Sequence, residues 1–155
     1  MVDLLADYIP ISALIEETVD FGLEHICTEH LKEQIQESAR ERVYSQGTTH
    51  LSGDWHIPFD RRMDSDGGLI DKDSMETWVN NHALTLYNAS VVQNIFGGSY
   101  AGTPLTPIVE DGNEAFHQSG RPFMDEALHE YVSSGVADND IATALHMVGF
   151  DVHLG

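Results

Sequence analysis

The chain has 155 residues, 26 Asp and Glu against seven Lys and Arg, and a formal charge of −19 at an apolar fraction of 41 %. That length lets one domain bury a core without disulfide or metal staples, and the apolar and aromatic content excludes a disordered polyanion. The charge balance excludes a broad nucleic-acid grip or docking to an anionic membrane surface, since both need clustered cations.

Cys27 is the single cysteine, so no internal disulfide framework exists; it falls in an apolar helical register, where a buried structural thiol in a reducing compartment is expected. No apolar run reaches bilayer-spanning length, and "MVDLLADYIP" lacks the basic start of a signal peptide, so a soluble chain is expected. The acidity has two readings: adaptation to a salty cytoplasm, or a surface past which polyanions slide without sticking.

From Ile11 to Tyr44, apolar side chains at Ile11, Leu14, Ile15, Val19, Leu23, Ile26, Leu31, Ile35, Ala39 and Val43 predict one long amphipathic helix, with Ser12 as N-cap and Gly22 loosening it midway. "SQGTTHLSGDW" reads as a loop. "METWVNN" and "ALTLYNAS" alternate like strands, with Asn80, Asn81 and His82 forming a tight turn between them. "VVQNIF" is a candidate extension of that sheet, "GGSYAGTPLTP" a further loop, and "LTPIVEDG" a short apolar segment ending at a turn. Pro122 opens a helix, "PFMDEALHEYVSS", with Asp125 and Glu126 in its first turn and Gly135 beyond its end. A last helix, "NDIATALHMV", is stopped by Gly149. The predicted fold is α+β: a long N-terminal helix, a small antiparallel sheet with a hairpin, and C-terminal helices. Residues 1–135 form the body, and 136–155 a short helix and tail added to the same domain.

The stretch "PFDRRMDSDGGLIDKD" packs two arginines and five aspartates into sixteen residues. Read as a calcium loop from Asp64, Asp66 fits, but Gly68, Leu69 and Met75 occupy positions needing a ligand, the turn glycine and the closing glutamate. A solvated acidic turn is the plainer reading, with a looser cation site among Asp64, Asp66, Asp71 and Asp73 left open. His25 and His30 lie five apart, so they do not share a helix face as paired metal ligands would, and His129 stands alone in "LHEY". No metal or cofactor is expected. "FGGSYAGTP" lacks the Gly-Lys-Ser/Thr of a phosphate loop, since Thr103 and Pro104 follow Gly102. Glu110 and Asp111 sit where carboxylates cap backbone more often than they run acid–base chemistry. No constellation supports catalysis, and a non-enzyme is expected.

Several short motifs in fixed order carry a resemblance: "VY" at Val43, "FDRR" at Phe59 to Arg62, "GGLID" at Gly67, "LTLYNAS" at Leu84, "PLTPIVEDG" at Pro104 and "GRPFMDEAL" at Gly120. Together, over Val43 to Gly135, they resemble the head–tail joining proteins of tailed phages, of the neck or tail-completion type. The resemblance implies a non-enzymatic virion protein, assembled in the host cytoplasm as a ring around the DNA channel. Its implied partners are neighbouring copies, portal or adaptor proteins on one side and tail-tube or tail-terminator proteins on the other, with no membrane contact. The implied interface residues are Phe59, Arg61, Arg62, Arg121, Pro122 and Phe123, since a guanidinium pairs bidentately with carboxylates of a neighbour and Phe123 offers an apolar anchor. The rival reading is a small acidic cytosolic binding module, with a cation in the Asp64 to Asp73 turn.

With seven cations among 26 acids, the chain cannot release the counterions that drive duplex binding. The expected outcome is no measurable shift of duplex DNA at moderate salt in an electrophoretic or anisotropy titration; tight binding there would contradict this reading of the charge.

Overall fold

The structure is a computed structural model, and it describes residues 10–44, 68–91, 102–113 and 118–155. The fold is α+β, with the long N-terminal helix, a two-stranded antiparallel hairpin and C-terminal helices. The chain is helical from Ile11 to Tyr44, but not uniformly. Helix α1 (Ile11–Gly22) runs into a π-helical segment (Leu23–Cys27), then α2 (Thr28–Ala39), then a second π segment (Arg40–Tyr44). Cys27, Leu31, Ile35, Ala39 and Val43 are all buried and stand four residues apart. On a regular α-helix each such step drifts by about 40° around the axis. Only the last step, Ala39 to Val43, falls in a π segment, whose wider turn underwinds the helix and reduces the drift there.

Two details differ from the sequence reading. Pro10 precedes the helix and no side chain caps it, so Ser12 lies inside the first turn. Gly22 does more than loosen the path. A Cβ built there would lie 2.8 Å from Cβ of Ala144, so the glycine lets two helices touch backbone to side chain. The start of the helix leaves part of its apolar pattern outside: Ile11 and Ile15 are exposed.

A short 3₁₀ turn (Lys72–Ser74) leads into β1 (Met75–Asn80), which pairs antiparallel with β2 (Ala83–Asn88) in the register Met75↔Asn88 to Asn80↔Ala83. The connection is a two-residue turn, Asn81 and His82, both with positive φ of 49° and 57°. Two left-handed residues give the turn twist that a hairpin needs, and Asn and His tolerate that conformation better than most. Asp20 of α1 holds the His82 ring at 2.9 Å, tying the turn to the long helix. One face of the hairpin, with Met75, Leu84 and Leu86, packs on the core. The other carries Glu76, Trp78, Thr85 and Tyr87 outward. Beyond β2, Val91 makes one isolated bridge to Pro104, while the rest of "VVQNIF" lies outside the described residues.

"LTPIVE" is a short helix, α3 (Leu105–Glu110), with Pro107 in its first turn, where a missing N–H costs nothing. A two-residue ladder follows, β3 (Gly112–Asn113) with β4 (Gln118–Ser119). Helix α4 (Phe123–Ser133) packs along α2, and α5 (Val136–Met147) packs along α1 and the first π segment. Helix α5 begins three residues earlier than its apolar pattern implied. Gly135, at φ 80°, closes α4 and accepts the first bond of α5 from Asn139. Gly149 ends α5 at φ 92°. No helix of the described residues is long and apolar enough to cross a membrane.

The α1–α5 contact yields a sign test. A Gly22→Ala change normally adds about 1 kcal/mol of helix propensity. Here the new methyl collides with Ala144, so a net loss of about 1–2 kcal/mol is expected in urea unfolding. Adding Ala144→Gly should shrink the loss relative to its own background; a stabilised Gly22→Ala variant would show that the helices do not meet at this point.

Candidate functional site

Among the described residues, the motifs that carry the phage resemblance meet in space. Arg121 donates from Nη1 to the carbonyl of Val43 at 2.7 Å, capping the end of the long helix, while its own backbone N–H donates to Val109 at 2.7 Å. Gly120 permits that crossing, because a Cβ there would lie 2.8 Å from the Glu110 carbonyl oxygen. The Glu110 carboxylate receives the N–H groups of Met124 at 3.1 Å and Asp125 at 2.9 Å, so it caps α4 from outside that helix. Burial raises its pKa, opposed by the N–H groups it accepts.

A second knot joins the glycine turn to the hairpin. Asn88 is fully buried and donates from Nδ2 to Leu69 O at 2.9 Å, while the Ser90 hydroxyl lies 2.9 Å from Gly68 O. Thr106 of α3 donates to Asn88 O at 3.0 Å. Gln36 of α2 donates to Ile70 O, and Ser38 to Phe123 O at 2.7 Å. Each bond satisfies a backbone carbonyl in or near the core.

Of the residues expected at an interface, Phe59, Arg61 and Arg62 lie outside the described residues, as do Asp64 and Asp66 of the acidic turn. Phe123 is fully buried, its side chain committed to the core. Arg121 is partly buried and engaged with Val43, and Pro122 is exposed just before α4. The described part of the acidic turn is a local cap: Asp71 Oδ1 accepts the N–H of Asp73 at 3.0 Å, and Oδ2 accepts the Ser74 hydroxyl at 3.3 Å. Among the described residues, no group of three or more His, Cys, Asp or Glu is arranged to hold a metal ion.

One cluster escaped the sequence reading. Asp140 of α5 is 5 % exposed, and its carboxylate meets His30 Nδ1 at 2.8 Å and the Tyr131 hydroxyl at 2.6 Å. Cys27 adjoins that hydroxyl. Burial, reinforced by Asp140, pushes the Tyr131 phenol far above its usual range, and burial also raises the Cys27 thiol. Both therefore stay protonated, and Tyr131 is held as a donor to the carboxylate. A histidine oriented at Nδ1 by a buried carboxylate is also the arrangement of a general base. The thiol, however, is 2 % exposed, is raised by burial, and has the Tyr131 hydroxyl as its hydrogen-bond partner. A buried, protonated thiol paired with a phenol lacks the thiolate character of a nucleophile. The cluster reads as a polar clamp joining α2, α4 and α5. His30 and Asp140 stand 110 positions apart, and only the placement of an Asp within the apolar pattern of α5 hinted at a buried partner.

Removing one partner of a buried carboxylate has a defined cost. Tyr131→Phe should destabilise the domain by about 1–3 kcal/mol. In an Asp140→Ala background the same change should cost much less, because no carboxylate remains to be satisfied. Equal losses in both backgrounds, measured by urea unfolding, would rule out the coupling.

Compared with known proteins, the chain matches no family model, no curated protein and no solved structure.

Proposed function

We propose that this chain is a structural protein of a tailed virus, a component of the head–tail connector ring around the DNA channel. The observation that carries the reading is the convergence of the motifs. Each is short, and each alone is weak. Yet Val43, the Gly68–Ile70 turn, Asn88 and Ser90, Val109 and Glu110, and the Arg121–Asp125 entry are linked to one another, or through α2, by named hydrogen bonds. Residues that serve one another's backbones form one physical unit, and a likeness in their order and spacing is then a likeness of that unit.

The charge fits the same role. A channel component must let DNA pass without holding it, and carboxylates offer phosphates no partners. The acids of the long helix lie outward: Glu29, Glu33, Glu37 and Glu41 are exposed along one ridge at four-residue spacing. Lys72 meets two of them, Glu29 at 3.4 Å and Glu33 at 3.2 Å. These pairs are exposed and contribute little to stability, so the ridge serves solvent or passing polyanions more than the fold. In the ring, the chain contacts neighbouring copies laterally, portal or adaptor proteins on the head side and tail-tube or tail-terminator proteins on the tail side.

The test is made on particles. Purified virions of the virus that encodes this chain should contain it as ring density at the head–tail junction in an electron-microscopy reconstruction. Withholding the chain should leave filled heads and separate tails. Complete tailed, infectious particles lacking the chain would overturn the reading.

A further inference from the structure

A chain at −19 that assembles with itself must solve an electrostatic problem, because every copy repels every other. Two such surfaces approach most readily where they present few carboxylates. The sequence contains one long stretch of this kind. From Thr77 to Val109 there is no Asp, Glu, Lys or Arg, and His82 is its only titratable side chain besides tyrosines. All 26 acids lie elsewhere.

In the fold, that stretch includes almost the whole hairpin, and the hairpin's outer face is open. Trp78 is 50 % exposed and Tyr87 42 %. The register sets Trp78 opposite Thr85 and Glu76 opposite Tyr87, so the two aromatics are diagonal neighbours on one face. Among the described residues neither β1 nor β2 pairs with a further strand. The hairpin edges thus carry uncharged backbone donors and acceptors, without the lysines that commonly blunt such edges. Glu76 is the one carboxylate on this face, at the end away from the turn.

Two other exposed apolar pairs lie beside carboxylates. Leu128 and Val132 on α4 share their exposed face with Asp125, one turn before Leu128. Ile11 and Ile15 precede Glu16 and Glu17. A second acidic copy seated there would bring carboxylates against carboxylates. A cationic partner, conversely, would find its charges answered on the ridge of α2 and not on the hairpin.

We propose that the outer face of the β1–β2 hairpin, centred on Trp78 and Tyr87, is the surface through which one copy of this chain binds a second copy. The inference rests on the assembly reading for its need of neighbouring copies, and it names the face that reading leaves open. The contact is apolar and neutral. Salt therefore strengthens it, by screening the repulsion between the two acidic bodies, whereas a contact built on ion pairs would weaken.

The experiment is analytical ultracentrifugation of the full chain over a wide concentration range, at about 0.05 M and about 0.5 M salt, between which the Debye length falls from about 14 Å to about 4 Å. The wild-type chain should associate, and more tightly at high salt. Thr85→Glu and Trp78→Glu, each placing a carboxylate on the face, should weaken association by roughly tenfold or more, since like charges juxtaposed in a contact are strongly unfavourable. Leu128→Glu, on α4, should associate like the wild type. Melting curves establish that each variant is folded, and either hairpin variant suffices if the other is not. A wild-type chain that stays monomeric at high concentration and high salt overturns the proposal. So does association that weakens with salt, or that both folded hairpin variants leave untouched. A monomer that is nonetheless found in the virion ring defeats this inference and leaves the assembly reading standing; salt-strengthened association through the hairpin, by a chain absent from particles, does the reverse.

Discussion

The ridge Cys27, Leu31, Ile35, Ala39 and Val43 is the surface on which most of the core is seated. Its four-residue spacing does not match the α-helical repeat, so the ridge winds slowly around the axis and its ends look in different directions. Near Cys27 it meets Tyr131 and, across the first π segment, α5 and the inner face of the hairpin. Toward Val43 it meets α4 and the Arg121 crossing. One helix can then serve several partners because its apolar face is twisted rather than straight.

Polar groups lock this packing where apolar burial alone would leave the arrangement free to slide. Asn88 and Ser90 grip the carbonyls of the glycine turn, Ser38 grips Phe123, and Asp140 gathers His30 and Tyr131. Each is a buried polar group with its partner, and a shifted register would orphan it at a cost larger than the bond itself contributes. Such groups choose one packing among several of similar apolar area. That is a property suited to a part that must present fixed surfaces to neighbours on more than one side.

The charge acts at a different level. Exposed carboxylates on the long helix do little for the fold, and two of the cations make exposed pairs: Lys72 with Glu29 and Glu33, Arg42 with Glu126 at 3.3 Å. What the charge governs is approach. It sets which macromolecules come near, and by its absence from Thr77 to Val109 it marks where a like-charged body meets no carboxylate.

The sequence by itself determined the elements. A repeated apolar spacing specifies a long helix whatever it packs on, alternation with an Asn-His turn specifies a hairpin, and Pro122, Gly135 and Gly149 mark helix ends by backbone stereochemistry; all of these are local properties. The α+β order was legible for that reason, while "LTPIVE", too short for periodicity to separate helix from strand, was not. Tertiary structure decided everything that depends on residues far apart in the chain. Gly22 reads as a flexible point until Ala144 is set 2.8 Å from its missing Cβ. Phe123 and Arg121 read as surface anchors until the fold buries one and turns the other onto Val43. Asp140 and His30 carry no mutual signal across 110 positions, because their hydrogen bond is made by the packing of α5 on the long helix and not by any spacing within either.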